Sequence, residues 1–91
     1  MKQSRAVVTF NRRLYIAYLI SQGINTVPKI AEYTAYPRRT IVEGIASLKD
    51  MNIEVGRKGS DRFGHYTIES WGYFTKKKIY ADIEKIIKNA T

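Results

Sequence analysis

The chain has 91 residues, with 16 lysines and arginines against 8 aspartates and glutamates, and a formal charge of +8. That length supports one domain over 1–91, and a hydrophobic content of 44% is enough for a single core lying close to the surface. The absence of cysteine and the presence of one histidine, His65, exclude disulfide frameworks, thiolate zinc sites and Cys–His nucleophilic pairs, so no metal and no cofactor is expected. The longest apolar run, Leu14 to Ile20, is far shorter than the ~20 residues that cross a bilayer, and the amino-terminal stretch is too short for a secretory signal. The chain reads as cytoplasmic, with no membrane partner.

Asn11 is placed to cap a first helix running to about Gln22, with Gly23 supplying a left-handed stop. Its middle is apolar all round, which calls for burial on more than one side. Arg12 and Arg13 fall in the first turn of that helix, where the macrodipole disfavours cations and an external anion would be welcome. A second helix over 27–34 follows, capped by Thr26 and started by Pro28, with Val27, Ile30, Ala31 and Thr34 on one stripe. Pro37 holds Tyr36 extended and opens a third helix to about Met51, whose inward stripe is Ile41, Ile45 and Leu48. At a hundred degrees per residue, Arg39, Thr40, Glu43, Ser47 and Asp50 fall on its far side.

Beyond Asn52 the period changes to two. Ile53 and Val55 alternate with Glu54, and Tyr66 and Ile68 alternate with Thr67 and Glu69, which predicts a hairpin with a long tip over 56–64. Trp71, Tyr73 and Phe74 read as core closure, and Tyr15, Tyr18 and Tyr33 as packing. A last helix is expected over about 75–89, with Ile79, Ile83, Ile86 and Ile87 on one stripe. Charge is uneven: through residue 42 the bases are Lys2, Arg5, Arg12, Arg13, Lys29, Arg38 and Arg39 and the only acid is Glu32, with Arg57, Lys58 and Arg62 following at the hairpin. Such a surplus indicates polyanion affinity without choosing the polyanion.

Two short helices joined by a tight turn and followed by a hairpin with a basic tip is a known order. The stretch from Lys29 through Ala31, Ala35 and Pro37 to Ile41 resembles the helix-turn-helix of bacterial winged-helix transcriptional regulators, with Ala31 at the small position of the first helix and Ile41 as the apolar anchor of the second. The continuation through Ile45, Leu48, Met51, Ile53, Val55, Arg57 and Gly59 is similar to the family's descent into its wing. Two positions depart from it, Ala35 and Asn52, where the family usually has glycine; Ala35 would cost roughly 1 kcal/mol at positive φ. The resemblance implies an α+β, mainly α fold: a winged helix-turn-helix with a three-helix core, a β-hairpin wing and an additional C-terminal helix. It further implies a transcriptional regulator binding double-stranded DNA, nucleoid-associated if bacterial.

On that reading the third helix, about 37–51, enters the major groove and leads with Arg38, Arg39, Thr40 and Glu43. Arg39 is the foremost base reader, Arg38 is inclined to phosphate, and Glu43 either accepts from cytosine or pairs with Arg39 across one helical turn. Thr26, Lys29 and the start of the second helix suit the DNA backbone, and Arg57, Lys58 and Arg62 on the wing, about 56–64, suit the adjacent phosphates or the minor groove. A homodimer through the first and last helices would double the footprint; alternatively those two faces pack on each other. Competing functions are a protein-interaction module docking an acidic partner and a sequence-indifferent architectural nucleic-acid binder. Neither a glycine-rich phosphate loop nor a nucleophile elbow accompanies the carboxylates, so no enzyme and no pocket is expected.

Overall fold

The computed structural model describes residues 4–60 and 62–91; Lys2, one of the early bases, lies outside them. The first helix, α1 (Arg5–Ser21), begins well ahead of Asn11, because Ser4 takes the capping role and accepts from the Val7 N–H at 3.2 Å. Asn11 lies inside the helix, where its amide nitrogen donates to the Val7 carbonyl at 2.8 Å instead of competing for a cap. Arg12 and Arg13 are therefore mid-helix residues and not first-turn residues.

The all-round apolar middle of α1 is explained by two cores on opposite sides of it. Leu14 and Ala17 pack with Leu48, Met51, Ile53, Ile79 and Ile86. Ile16, Leu19 and Ile20 pack with Val27, Ile30, Ile41 and Ile45. Tyr15 and Tyr18 lie against both clusters, whereas Tyr33, expected to pack, is 61% exposed.

The second helix, α2 (Val27–Thr34), has the expected bounds: Thr26 Oγ1 accepts from the Lys29 N–H, and Ala35 ends the helix in the left-handed region at φ 62°. The third, α3 (Arg38–Ser47), starts after Pro37 and is shorter than the pattern suggested. Its last turn tightens to a 3₁₀ turn over Leu48–Met51, closed by left-handed Asn52, whose N–H reaches Lys49 O while the Ile53 N–H reaches Leu48 O. That turn drives Ile53 fully into the core.

Strands β1 (Glu54–Lys58) and β2 (His65–Ser70) pair antiparallel, with Val55 opposite Ile68, Arg57 opposite Tyr66 and Lys58 opposite His65. Arg57 and Lys58 thus belong to a strand, and the tip begins at Gly59. The Tyr66 N–H donates to Asn25 O at 2.9 Å, which ties the hairpin to the loop that feeds α2.

The expected closing helix is two helices, α4 (Lys76–Ala81) and α5 (Ile83–Asn89), broken at Asp82. Asp82 is a weak helix former, and its carboxylate is drawn to Lys78 at 3.1 Å. The break brings Tyr80 against Tyr18 and within 2.8 Å of the Ser21 hydroxyl, while α5 lies along α1. Ile79 and Ile86 enter the first core and Ile83 packs on it, so the stripe considered for a dimer is used within the chain; Ile87, Val7 and Phe10 stay partly exposed. Trp71 and Phe74 close that core, but Tyr73 stands 86% exposed in the turn between them. Among the described residues no helix is long and apolar enough to cross a membrane.

Candidate nucleic-acid interface

Because the hairpin is pinned beside Asn25, residues distant in sequence meet at one cleft. Thr26, Val27 and Pro28 from the start of α2, Arg38 from the start of α3, and Arg57, Arg62, Gly64 and Tyr66 from the hairpin line a groove of about 340 Å³. Three of these eight residues are arginines, one from α3 and two from the hairpin. The Arg57 guanidinium lies 5.7 Å from the centre of the Tyr66 ring, its cross-strand partner, which holds it over the hairpin face. Tyr66 was not expected to matter to the site, and only the strand register reveals its role.

The amino end of α2 is less open to an anion than its sequence suggested. Pro28 has no N–H, and the Lys29 N–H is taken by Thr26 at 3.3 Å. Thr26 Oγ1 accepts in that bond, so its own O–H is left to donate outward. Lys29 itself is exposed on the first turn.

On α3 the buried side is Ile41, Gly44 and Ile45, and the exposed side is Arg38, Arg39, Val42, Glu43 and Ala46. Thr40 and Ser47, assigned to the far face, are half-buried instead and line a second cleft of about 410 Å³ together with Thr9, Arg12, Arg13 and Glu43. So clefts do form on this small body, and these two lie beside α3. Their walls follow from close packing: a Cβ on Gly44 would come within 2.8 Å of Ile16 Cδ1, so the glycine lets α1 and α3 approach. Val42 and Ala46, of a type that a linear pattern assigns inward, are exposed on α3, Val42 to 44%, and Ala46 borders the hairpin residues Val55 and Tyr66.

Arg39 and Glu43 do pair: Arg39 Nε donates to Glu43 Oε1 at 3.0 Å, with both side chains in solvent. Arg12 is used internally, donating through Nε to the Ala90 carbonyl at 3.0 Å with its guanidinium 5.3 Å from the Tyr36 ring centre. Burial raises the phenol pKa values of Tyr36 and Tyr15 from their ordinary value, opposed at Tyr36 by Arg12 and reinforced at Tyr15 by its tyrosine neighbours. Both rings therefore stay neutral near pH 7 and set no anion beside the arginines. Among the described residues no three of histidine, cysteine, aspartate and glutamate cluster as metal ligands would.

The family described as winged helix-turn helix matches residues 5–90. This chain belongs to the winged helix-turn helix family. A crystal structure of a DUF2131 family protein from Shewanella amazonensis SB2B is similar along nearly its whole length, with a TM-score of 0.87, 26% identity, and coverage of 97% of this chain and 94% of that one. No curated protein sequence matches. In this winged helix, α2 and α3 form the helix-turn-helix and β1–β2 the wing, a DNA-binding type of module. Ala35 and Asn52, the two departures noted above, both adopt the left-handed conformation for which the family usually employs glycine, with φ 62° at each.

Proposed function

We propose that this winged helix binds duplex DNA sequence-specifically as a transcriptional regulator, with α3 in the major groove and the wing on the adjoining backbone. The observation that carries this reading is the groove where Arg38, Arg57 and Arg62 face the start of α2, directly beside the exposed leading end of α3. A phosphate strand laid along that groove would meet three guanidiniums and the Thr26 hydroxyl, while Lys29 and Lys58 extend the cationic track. Phosphate contacts of this kind set register, and α3 reads the bases.

Arg39 is the base reader. Its pairing with Glu43 supports that role, because the bond engages Nε and leaves the two terminal nitrogens to meet the paired acceptors of a guanine. Thr40 and Glu43 contribute from the side nearer α1, and Val42 and Ala46 offer contacts for a thymine methyl. A homodimer would use the exposed remainder of the first and last helices, Val7, Phe10 and Ile87.

Selection of bound fragments from a random duplex library tests the reading. Enrichment of a defined motif, with affinity falling steeply as salt rises, is the expected result, and an inverted repeat would establish the dimer as well. A library that returns no motif refutes sequence-specific reading, and affinity indifferent to salt refutes duplex binding by the arginine groove.

A further inference from the structure

The wing ends in an apolar group among cations. Phe63 is 79% exposed at the tip, with the Arg62 guanidinium 5.7 Å from its ring centre and Lys58 exposed at the end of β1. The backbone that carries it is closely built. The Phe63 N–H donates to Ser60 Oγ at 3.0 Å, Gly59 sits at φ 89°, and a Cβ on Gly64 would come within 2.5 Å of Ser60 O. Gly59 and Gly64 thus allow the close backbone approach of Ser60, Phe63 and Gly64 at the tip, with the ring in solvent. Among the described residues neither apolar cluster includes this ring.

We propose that Phe63 is a wedge that enters the minor groove beside the site bound by α3 and partly unstacks one base step, bending the duplex. This rests on the duplex-DNA reading above. The chemistry that fits a single flat apolar ring with Arg62 against it, on a wing whose strands also carry Lys58 and Arg57, is a narrow groove with phosphate on both rims and stacked, apolar bases at its floor. Cations engage the rims, and the ring meets the bases. Fixing the exposed ring costs side-chain freedom, which its stacking on a base offsets. Proteins that place apolar side chains between base steps kink DNA in this way, by about 20–90°.

The test uses the full chain and a short duplex enriched from the random library, carrying a dye pair at its ends and 2-aminopurine placed in turn at successive steps. Wild type and Phe63→Trp should shorten the end-to-end distance and brighten one 2-aminopurine position. Phe63→Ser should abolish both signals and weaken binding about fivefold or more, as expected for loss of one base–aromatic contact. Lys58→Ala should keep the bend while weakening binding. Because the ring is exposed, Phe63→Ser leaves the fold intact, which the circular dichroism spectrum checks. Equal bending by wild type and Phe63→Ser overturns the wedge alone, and loss of self-association in Phe63→Ser with bending retained would make the tip a contact between copies instead. Absence of duplex binding by the wild type overturns the underlying reading and the wedge together.

Discussion

Ala35 occupies a backbone conformation that an L-residue adopts at a cost, with φ 62° and ψ 14° at the turn between α2 and α3. Replacing it by glycine removes the clash between its Cβ and the following carbonyl, which is worth about 1–2 kcal/mol. Against that, glycine surrenders about 0.4–1 kcal/mol more chain entropy on folding. The methyl group is exposed and fills no part of the core, and the hydrogen bond from the Ala35 N–H to Ala31 O at 2.8 Å survives the change. The balance leaves Ala35→Gly more stable by about 0.5–1 kcal/mol, or about 2–8 °C in Tm for a chain this size. Urea titrations followed by circular dichroism measure it, with an unchanged slope showing that only stability moved. Ala35→Val should shift the midpoint the other way, because a β-branched side chain is least tolerated at positive φ. An Ala35→Gly variant no more stable than the parent would show that the turn is not left-handed in solution, and the placement of α3 against α2 would have to be redrawn.

Arg39→Ala should cost about 1–3 kcal/mol on the preferred duplex and little on unrelated DNA, whereas Lys58→Ala should weaken all sequences alike and lower the salt slope by about 1; competitive titrations at several salt concentrations separate the two. Gly44→Ala gains about 1 kcal/mol of helix propensity but presses on Ile16 Cδ1, which is fully buried, so a net loss of about 1 kcal/mol is expected in thermal melts. Combining it with Ile16→Val removes the pressed atom, and the double variant should lose less than the sum of the singles. Since burial favours the neutral phenols of Tyr15 and Tyr36, their contribution to stability is fully present below their ordinary value of 10.0 and is lost as pH rises through the higher folded values. Urea midpoints should therefore fall above about pH 10, less steeply in Tyr15→Phe.

The parts of the fold that could be read in advance are those bracketed by residues with strong backbone preferences. Thr26 and Pro28 open α2 and the Ala35–Pro37 segment closes it, so its bounds were legible to the residue. Where brackets are weak, apolar spacing alone misleads. Ser4 lies ahead of the core-facing stripe, and Asn11 looked like the cap because its hydrogen bond to Val7 O is not visible in a linear pattern. The isoleucine stripe of the last segment runs through Asp82 at regular spacing, yet the chain breaks there, as Lys78 and the meeting of Tyr80 with Tyr18 show. In the candidate interface, the individual cations were identifiable from charge and position. Their convergence was not, since it depends on a hydrogen bond from Tyr66 to Asn25 and on the pairing register that sets Arg57 over Tyr66.

The bond from Arg12 to the carbonyl of Ala90 joins groups 78 residues apart. One side of α1 meets Leu48, Met51 and Ile53 first and is completed only by Ile79 and Ile86 of α4 and α5, while its opposite side is covered by α2 and α3 much sooner. At the ribosome, with elongation at about 5–20 residues per second, Leu14 and Ala17 would spend on the order of 4–16 s without their final neighbours. A nascent chain is therefore sticky along one edge of its first helix until its closing segment emerges, and shortening that segment should reveal itself first as lost yield of soluble protein.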